Sequence, residues 1–114
     1  MKAFNPLSVI LAALLVLAAC EEEPGAASAV APQEPGAEDV GHYCGMIVEN
    51  HSGPKGHIFL SDQTEPLWFS SIRDTLAFTM LPEEPDNIAA IFVNDMGQAK
   101  NWDHPEPGTW VAAR

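Results

Sequence analysis

The sequence predicts a small α+β domain in which one helix packs on a short mixed sheet. Two short β-type segments precede a segment with helical periodicity, a buried strand pattern follows it, and turn-forming residues separate these segments. The order strand, strand, helix, strand describes a ββαβ unit, in which helix and sheet share one hydrophobic core. We assign this unit to residues 41–114.

The first two strands are predicted to form a hairpin. A Gly-Pro pair at 53–54 interrupts the chain, and the segments His57–Leu60 and Leu67–Phe69 that follow are aromatic and aliphatic. Between them, residues 61–66 supply the Ser, Asp, Thr and Pro that favour a turn. On this hairpin we expect the side chain of His57 to face solvent.

The helix is predicted from about Ser71 to Met80. Ser71 is a suitable N-cap, with an acidic residue three positions later. Ile72, Leu76 and Met80 recur at four-residue spacing, so we expect them on the core-facing side, with Met80 filling the core. Two prolines that follow within five residues end the helix.

Two further apolar segments complete the unit. Ile88–Val93 is a short apolar run after a turn, which predicts a buried strand. Trp110–Ala113 has the pattern of one more strand, and only Arg114 follows it.

A lipoprotein export signal is predicted before the domain. Residues 1–19 contain Lys2 and then an apolar run that ends in small residues before Cys20. Cleavage before Cys20 leaves its sulfur to carry a lipid, which anchors the protein to a membrane surface without a spanning helix. An uncleaved membrane anchor is the alternative. Residues 20–40, rich in Glu, Ala, Pro and Gly, are then expected to form a disordered tether.

The charge of the chain restricts its partners. Sixteen acidic residues against five basic ones give a formal net charge of −11. Without a basic patch to neutralise phosphates, nucleic acid is excluded as a partner. A metal cation or a cationic partner surface suits this charge better.

Cys44 is the residue that points to metal chemistry. Once Cys20 is lipidated, Cys44 is the only free thiol, and it is exported to a compartment that oxidises thiols. With Met46 it forms a Cys-x-Met pair, and a thiolate and a thioether are soft donors that select Cu(I). Gly45 between them gives the backbone the freedom to turn both sulfurs towards one ion. Chance or core packing is the alternative explanation for so short a motif.

Other side chains are weaker candidates. His51 could add an imidazole ligand, although an ordinary loop histidine explains it equally well. Met96 follows the predicted buried strand and could project from its end. His42, His57 and His104 are less favoured. The chain has no zinc-finger spacing and no orienting partner for a catalytic Cys–His pair, so we predict no catalytic residue and no enzyme.

Several short motifs occur in order between Cys44 and Trp110. They are Cys44–Val48, His51–Phe59, Phe69–Asp74, Pro82–Glu83, Phe92–Met96 and Trp102. In this order they resemble the signature of the NosL family, accessory lipoproteins of nitrous oxide reductase maturation, in which Gln is usual at the position of His57. Family members continue through a second half, so we expect this chain to be a fragment or a C-terminally truncated member.

The resemblance implies a Cu(I) chaperone rather than an enzyme. It implies delivery of copper to the proteins that assemble the copper centres of the reductase, and a fold of two ββαβ units of which this is the first. By this resemblance, Cys44 and Met46 are the first candidates for copper ligands, and His51 and Met96 are further candidates. The lipid on Cys20 places the protein on a cell membrane facing the periplasm, on either the inner or the outer membrane.

Two other interpretations stay open. The chain could be a lipid-anchored interaction module without metal, whose tryptophans serve the core and an interface. It could also be a thiol-dependent enzyme or redox protein, which predicts a lowered Cys44 pKa and fast alkylation of the thiol. If copper is bound, a second copy of the chain could complete the ligand set in a homodimer.

Overall fold

The computed structural model of the chain describes residues 30–113. The predicted signal peptide, the lipidation site Cys20 and the first part of the predicted tether lie outside the described residues. Within residues 30–113, no helix is long and apolar enough to cross a bilayer.

Four strands form one sheet in the order β2-β1-β3-β4. The strands are β1 (Gly56–Leu60), β2 (Leu67–Phe69), β3 (Ile88–Asn94) and β4 (Trp110–Ala112). All three strand pairs are antiparallel. The helix between β2 and β3 carries the chain back along the sheet, so β3 runs antiparallel to β1. The one parallel pairing in the described part of the chain is an isolated bridge between Gly41 and Trp68. The predicted α+β class and ββαβ order are confirmed, with β4 added at the sheet edge.

The helix, α1, spans Ile72–Met80 and begins as the sequence predicts. The Ser71 hydroxyl oxygen accepts a hydrogen bond from the backbone N–H of Asp74 at 3.1 Å, which satisfies one of the free donors of the first turn. Leu81 is the C-cap, and Pro82 follows it directly.

The predicted core-facing side of α1 is wrong. Thr75 and Phe78 are its buried residues, whereas Leu76 is exposed and Met80 is 80% exposed. The ring of Phe78 buries more apolar surface than a Met side chain would, and Thr75 fits against Gly56, where any Cβ would overlap the threonine side chain. The spacing therefore predicts the helix correctly but assigns the wrong face to the core.

The sheet is covered on both faces. On the helix side lies a hydrophobic core of aliphatic and phenyl side chains from strands and helix: Ile58, Leu60, Phe69, Phe78 and Ile91. Alternate residues of β1 point to the other face, where aromatic side chains of all four strands meet. Every residue of β1 is buried as a result.

His57 lies at the centre of this second face, so the prediction that it faces solvent is wrong. It is 0% exposed, and its ring centroid lies 4.5 Å from that of Trp110, 4.6 Å from that of Trp68 and 5.3 Å from that of Phe92. Desolvation by burial lowers the pKa of His57 to about 4. Its Nε2 accepts a hydrogen bond from the Gln33 backbone N–H at 3.1 Å. The imidazole is therefore a neutral core residue and not a surface ligand.

Residues 33–40 lie against the domain, although the sequence places them in the disordered tether. Beside the Gln33 contact, Glu34 Oε1 accepts hydrogen bonds from the Gly108 N–H at 2.9 Å and from Trp110 Nε1–H at 2.8 Å. The Asp39 carbonyl accepts one from the Val48 N–H at 2.9 Å. Composition misses this because a few anchoring contacts are enough to order a segment rich in Pro, Gly and Ala. The folded unit thus includes residues before 41.

Candidate metal site

The Cys-x-Met motif lies on a short hairpin of residues 40–47, which we call the site hairpin. Val40 and Ile47 form an antiparallel bridge, and the Gly41 N–H donates to the Met46 carbonyl at 2.9 Å. The turn of residues 42–45 closes where the Gly45 N–H donates to the Gly41 carbonyl at 2.9 Å. Gly45 has φ +67°, a left-handed conformation that glycine adopts at low cost. Cys44 therefore lies in the turn, and Met46 begins the returning arm.

The Cys44 thiol is exposed and held at a defined place. It donates a hydrogen bond to Ser70 Oγ at 3.4 Å, directly after the end of β2. A Cβ on Gly41 would come within 2.5 Å of the Cys44 sulfur, so only glycine leaves room for the thiol in this position. Ser70 thus joins the site hairpin to the main sheet.

The same contacts favour the thiolate. Hydrogen bonding with the Ser70 hydroxyl, and then with the Met46 backbone N–H, lowers the pKa of Cys44 below its ordinary value, against a smaller opposing effect of burial. In the ionised state both groups donate to the sulfur anion. Since the thiolate is the form that binds metals, these hydrogen bonds prepare Cys44 as a ligand.

Met46 leaves its thioether open to solvent, with 54% of the residue exposed. Exposed methionines are unusual, because this side chain is ordinarily a core filler. A thiolate and a thioether on one exposed hairpin make a soft-donor pair that an incoming protein can reach.

Two aromatic side chains precede Cys44 in the turn and are packed on the core. The rings of His42 and Tyr43 lie 5.7 and 5.8 Å from that of Phe69. The Tyr43 hydroxyl donates to Glu84 Oε1 at 3.1 Å, and His42 Nε2 lies 3.5 Å from the same oxygen. Desolvation and then Glu84 raise the pKa of Tyr43 to about 12, so its hydroxyl stays a donor at neutral pH.

His51 follows a short 3-10 helix, Val48–Asn50, and is half-buried. Its Nδ1 lies 3.1 Å from the Ser52 carbonyl oxygen. If Nδ1 carries the proton, as this contact favours, Nε2 is left as the donor atom for a metal. His51 is on a separate loop from Cys44, so its role as a ligand stays a prediction.

Met96 lies beyond the end of β3 and is half-buried. Gly56 pairs with Phe69 of β2 and with Val93 of β3, so β2 and β3 finish at the same end of the sheet. Ser70 and Met96 therefore lie at that end, on either side of the start of β1. In residues 30–113 no group of three or more His, Cys, Asp or Glu is placed to hold a metal ion. A site that includes Met96 stays a prediction.

Ser70, Gly41 and Glu84 are site residues that the sequence did not reveal. Ser70 precedes the capping Ser71, and two adjacent serines where one cap is needed were the only available signal. Glu84 acts through a contact between distant segments, which no local pattern encodes. Gly41 lies only three residues from Cys44, and its role depends on how the turn folds.

Comparisons with known proteins place these features in a family context. A family model described as NosL matches residues 32–114. The chain is 44% identical over 106 residues to a copper-binding lipoprotein NosL of Achromobacter cycloclastes, and 30% identical over 106 residues to one of Stutzerimonas stutzeri. These alignments cover 92% and 91% of this chain and 54% of each relative. The chain thus spans about half the length of these curated relatives.

A solved structure matches as well. The crystal structure of the copper chaperone NosL from Shewanella denitrificans superposes with a TM-score of 0.67 at 27% identity, over 74% of this chain and 62% of that one. This agreement confirms the α+β fold. The names of these relatives describe copper-binding proteins and a copper chaperone, in agreement with the prediction of a non-enzymatic protein.

Proposed function

This chain belongs to the NosL family, and from that premise we propose that it is a membrane-anchored Cu(I) metallochaperone. The observation that carries the proposal is the site hairpin. There the exposed thiol of Cys44, whose pKa is lowered, and the exposed thioether of Met46 are separated by a single residue in the sequence. Soft sulfur donors prefer Cu(I) among the common metals. The copper-binding names of the relatives support the same metal.

Copper is the cargo and moves by ligand exchange. Cys44 releases its proton to solvent on binding and holds the ion as a thiolate, with Met46 as the second donor. Two sulfur ligands leave Cu(I) a coordination position that His51, Met96, a second copy of the chain or a receiving protein fills. A thiol or thioether of the receiver enters there, and the bond to Cys44 breaks last. Exposure of both sulfurs gives the receiver access.

The destination is the machinery that assembles the copper centres of nitrous oxide reductase. A lipid on Cys20, which lies outside the described residues, holds the protein on a cell membrane facing the periplasm. The relatives' names as lipoproteins support this anchor. The net charge of −11 supports docking on a basic partner surface, with an association rate that falls as salt is added.

A Cu(I) competition titration tests the proposal. The full chain carries Cys20→Ser so that Cys44 is its only thiol, and a coloured Cu(I) chelator competes in reducing buffer. We expect Cys44→Ser to lower the Cu(I) affinity by about a hundredfold or more, and Met46→Leu by about tenfold, since even outer-shell changes cost about 10–100-fold. His51→Asn and Met96→Leu then report which of them completes the site.

The contrary result is equally clear. If the parent fails to take Cu(I) from the chelator, or if Cys44→Ser binds as tightly as the parent, the carrier function is refuted. The metal-free interaction module is then the better interpretation. Unchanged melting curves for both variants, measured by circular dichroism without copper, ensure that the affinities report the site and not the fold.

A further inference from the structure

Residues 30–36, which we call the strap, lie along β1 on the face of the sheet that carries the aromatic side chains. The Gln33 N–H donates to His57 Nε2 at 3.1 Å, near the middle of the strand. Residues 30–33 line a cavity of about 460 Å³ together with residues 59–61, where β1 ends and the turn to β2 begins. The first half of the strap is therefore placed at the end of β1.

The second half of the strap lies at the other end of β1. Glu34 and Pro35 line a cavity together with Lys55, the residue before this strand. Glu34 Oε1 accepts hydrogen bonds from the Gly108 N–H at 2.9 Å and from Trp110 Nε1–H at 2.8 Å, so this half is also held on β4. The strap thus follows β1 in reverse, from the end of that strand to its start.

The site hairpin begins close to where the strap finishes. A turn at residues 36–39 joins the two. Cys44 contacts Ser70 Oγ, directly after β2. The last residue of β2, Phe69, pairs with the first residue of β1, Gly56. The thiol and the start of the strap therefore lie at opposite ends of β1, and a strand of this length spans about 13 Å.

This path decides where a lipid tether leaves the domain. The proposed lipid is on Cys20, outside the described residues. A fully extended chain spans at most about 35 Å between Cys20 and Val30, and at most about 70 Å between Cys20 and Val40. Without the strap, the tether would end at Val40, which is the first residue of the site hairpin. With it, the tether is shorter and is attached at the far end of the sheet.

We propose that the strap is a membrane-orienting element, which turns the site hairpin away from the bilayer and places the β1–β2 turn next to the lipid surface. This inference rests on the lipid anchor of the proposed function and adds the orientation in which copper is presented. Asp62 and Glu65 of the turn are exposed, and burying a charge is costly, so the turn lies at the headgroups without entering the apolar layer. A receiving protein then reaches Cys44 and Met46 from the side away from the bilayer.

Fluorescence energy transfer from the domain to the bilayer tests this orientation. The full lipidated chain is anchored on phosphatidylcholine vesicles that contain a lipid with a rhodamine headgroup. Once Cys20 is lipidated, Cys44 is the only thiol and takes a maleimide donor dye at the site hairpin. A second protein, with Cys44→Ser and Gln63→Cys, carries the same dye on the exposed β1–β2 turn.

We expect the dye at Gln63→Cys to lie closer to the acceptor lipids than the dye at Cys44, by about 10 Å or more, because most of β1 separates the two positions. The double variant Gln33→Pro, Glu34→Ala removes the groups that hold the strap on the sheet. In that variant the difference between the two dyes should be lost. Glu38→Ala removes an exposed carboxylate from the neighbouring turn and none of these contacts, so it should retain the parent difference.

Equal transfer to the two dyes in the parent, or stronger transfer to the dye at Cys44, would overturn the inference. A strap variant that keeps the parent difference would do the same. Should the strap variant fail to fold, the two dyes in the parent decide, since that comparison needs no change in the strap. None of these results alters the Cu(I) titration of the soluble chain. A chain that lacks the mass of a lipid and does not sediment with vesicles refutes the anchor of the proposed function, and the inference with it.

Discussion

The site hairpin and the aromatic face of the sheet treat their ionisable groups in opposite ways. Cys44 is exposed and its charged form is stabilised by hydrogen bonds, whereas His57 is 0% exposed and its charged form is destabilised by desolvation. Both groups are potential metal ligands by residue type. The difference teaches that solvent exposure and the hydrogen bonds available to the side chain, rather than residue type, decide which of the two residues can bind a metal.

The two regions are also built differently. The aromatic face is formed by alternate positions of regular strands, and the N-terminal segment closes over it at Gln33 and Glu34. The site hairpin is held by one bridge, a few hydrogen bonds and a glycine in a left-handed conformation. We expect stability to reside mainly in the first region and ligand exchange in the second.

The largest expected effect tests that division with one substitution on each side. Trp68→Ala removes a buried ring of the aromatic face and should lower the free energy of unfolding by about 3–5 kcal/mol. Met46→Leu should change it by no more than about 0.5 kcal/mol, because the side chain is exposed. Urea denaturation measures both losses. It is followed by circular dichroism for Trp68→Ala, which removes a tryptophan, and by tryptophan fluorescence for Met46→Leu. Equal losses would contradict the division.

The next effect is a pH dependence that belongs to the aromatic face. Folding lowers the pKa of His57 from an ordinary 6.5 to about 4, so the unfolded chain binds more protons between these values. The contribution of His57 to stability is therefore complete above pH 6.5 and is lost as pH falls towards 4. The loss amounts to about 3 kcal/mol.

Comparison with His57→Gln isolates this contribution. The variant lacks the titrating ring, so its free energy of unfolding should fall less steeply than that of the parent between pH 6.5 and 4. Urea denaturation at several pH values gives both curves. Parallel curves for the two proteins would mean that the buried imidazole does not titrate differently on unfolding.

The smallest expected effect separates two adjacent serines. Ser70→Ala removes the main group that lowers the Cys44 pKa, so that pKa should rise and alkylation of the thiol at neutral pH should slow. Ser71→Ala removes the helix cap and should cost about 1 kcal/mol of stability with no change in alkylation. The pH profile of the iodoacetamide reaction and a thermal melt give the two readouts. Slower alkylation in Ser71→Ala alone would reverse the assignments.

Local features of the chain were predictable because they depend on neighbours in sequence. The helix bounds and the Ser71 cap follow from residues within one turn, and the hairpin of β1 and β2 from a turn between two apolar runs. The Cys-x-Met motif drew attention to Cys44 and Met46 by residue chemistry alone. The core-facing side of α1 was misassigned because Thr75 is polar, and its fit against Gly56 arises only when helix and sheet meet.

By itself the sequence determined the α+β class, the order of the elements and the soft-donor pair, since each depends on residue type and short spacing. Only the tertiary structure decided that His57 is a buried core residue, that Ser70 stabilises the Cys44 thiolate, and that Glu84 engages His42. These three facts arise from contacts between segments far apart in sequence. Such contacts are settled by how the sheet and helix pack to bury apolar surface, and no local pattern records them.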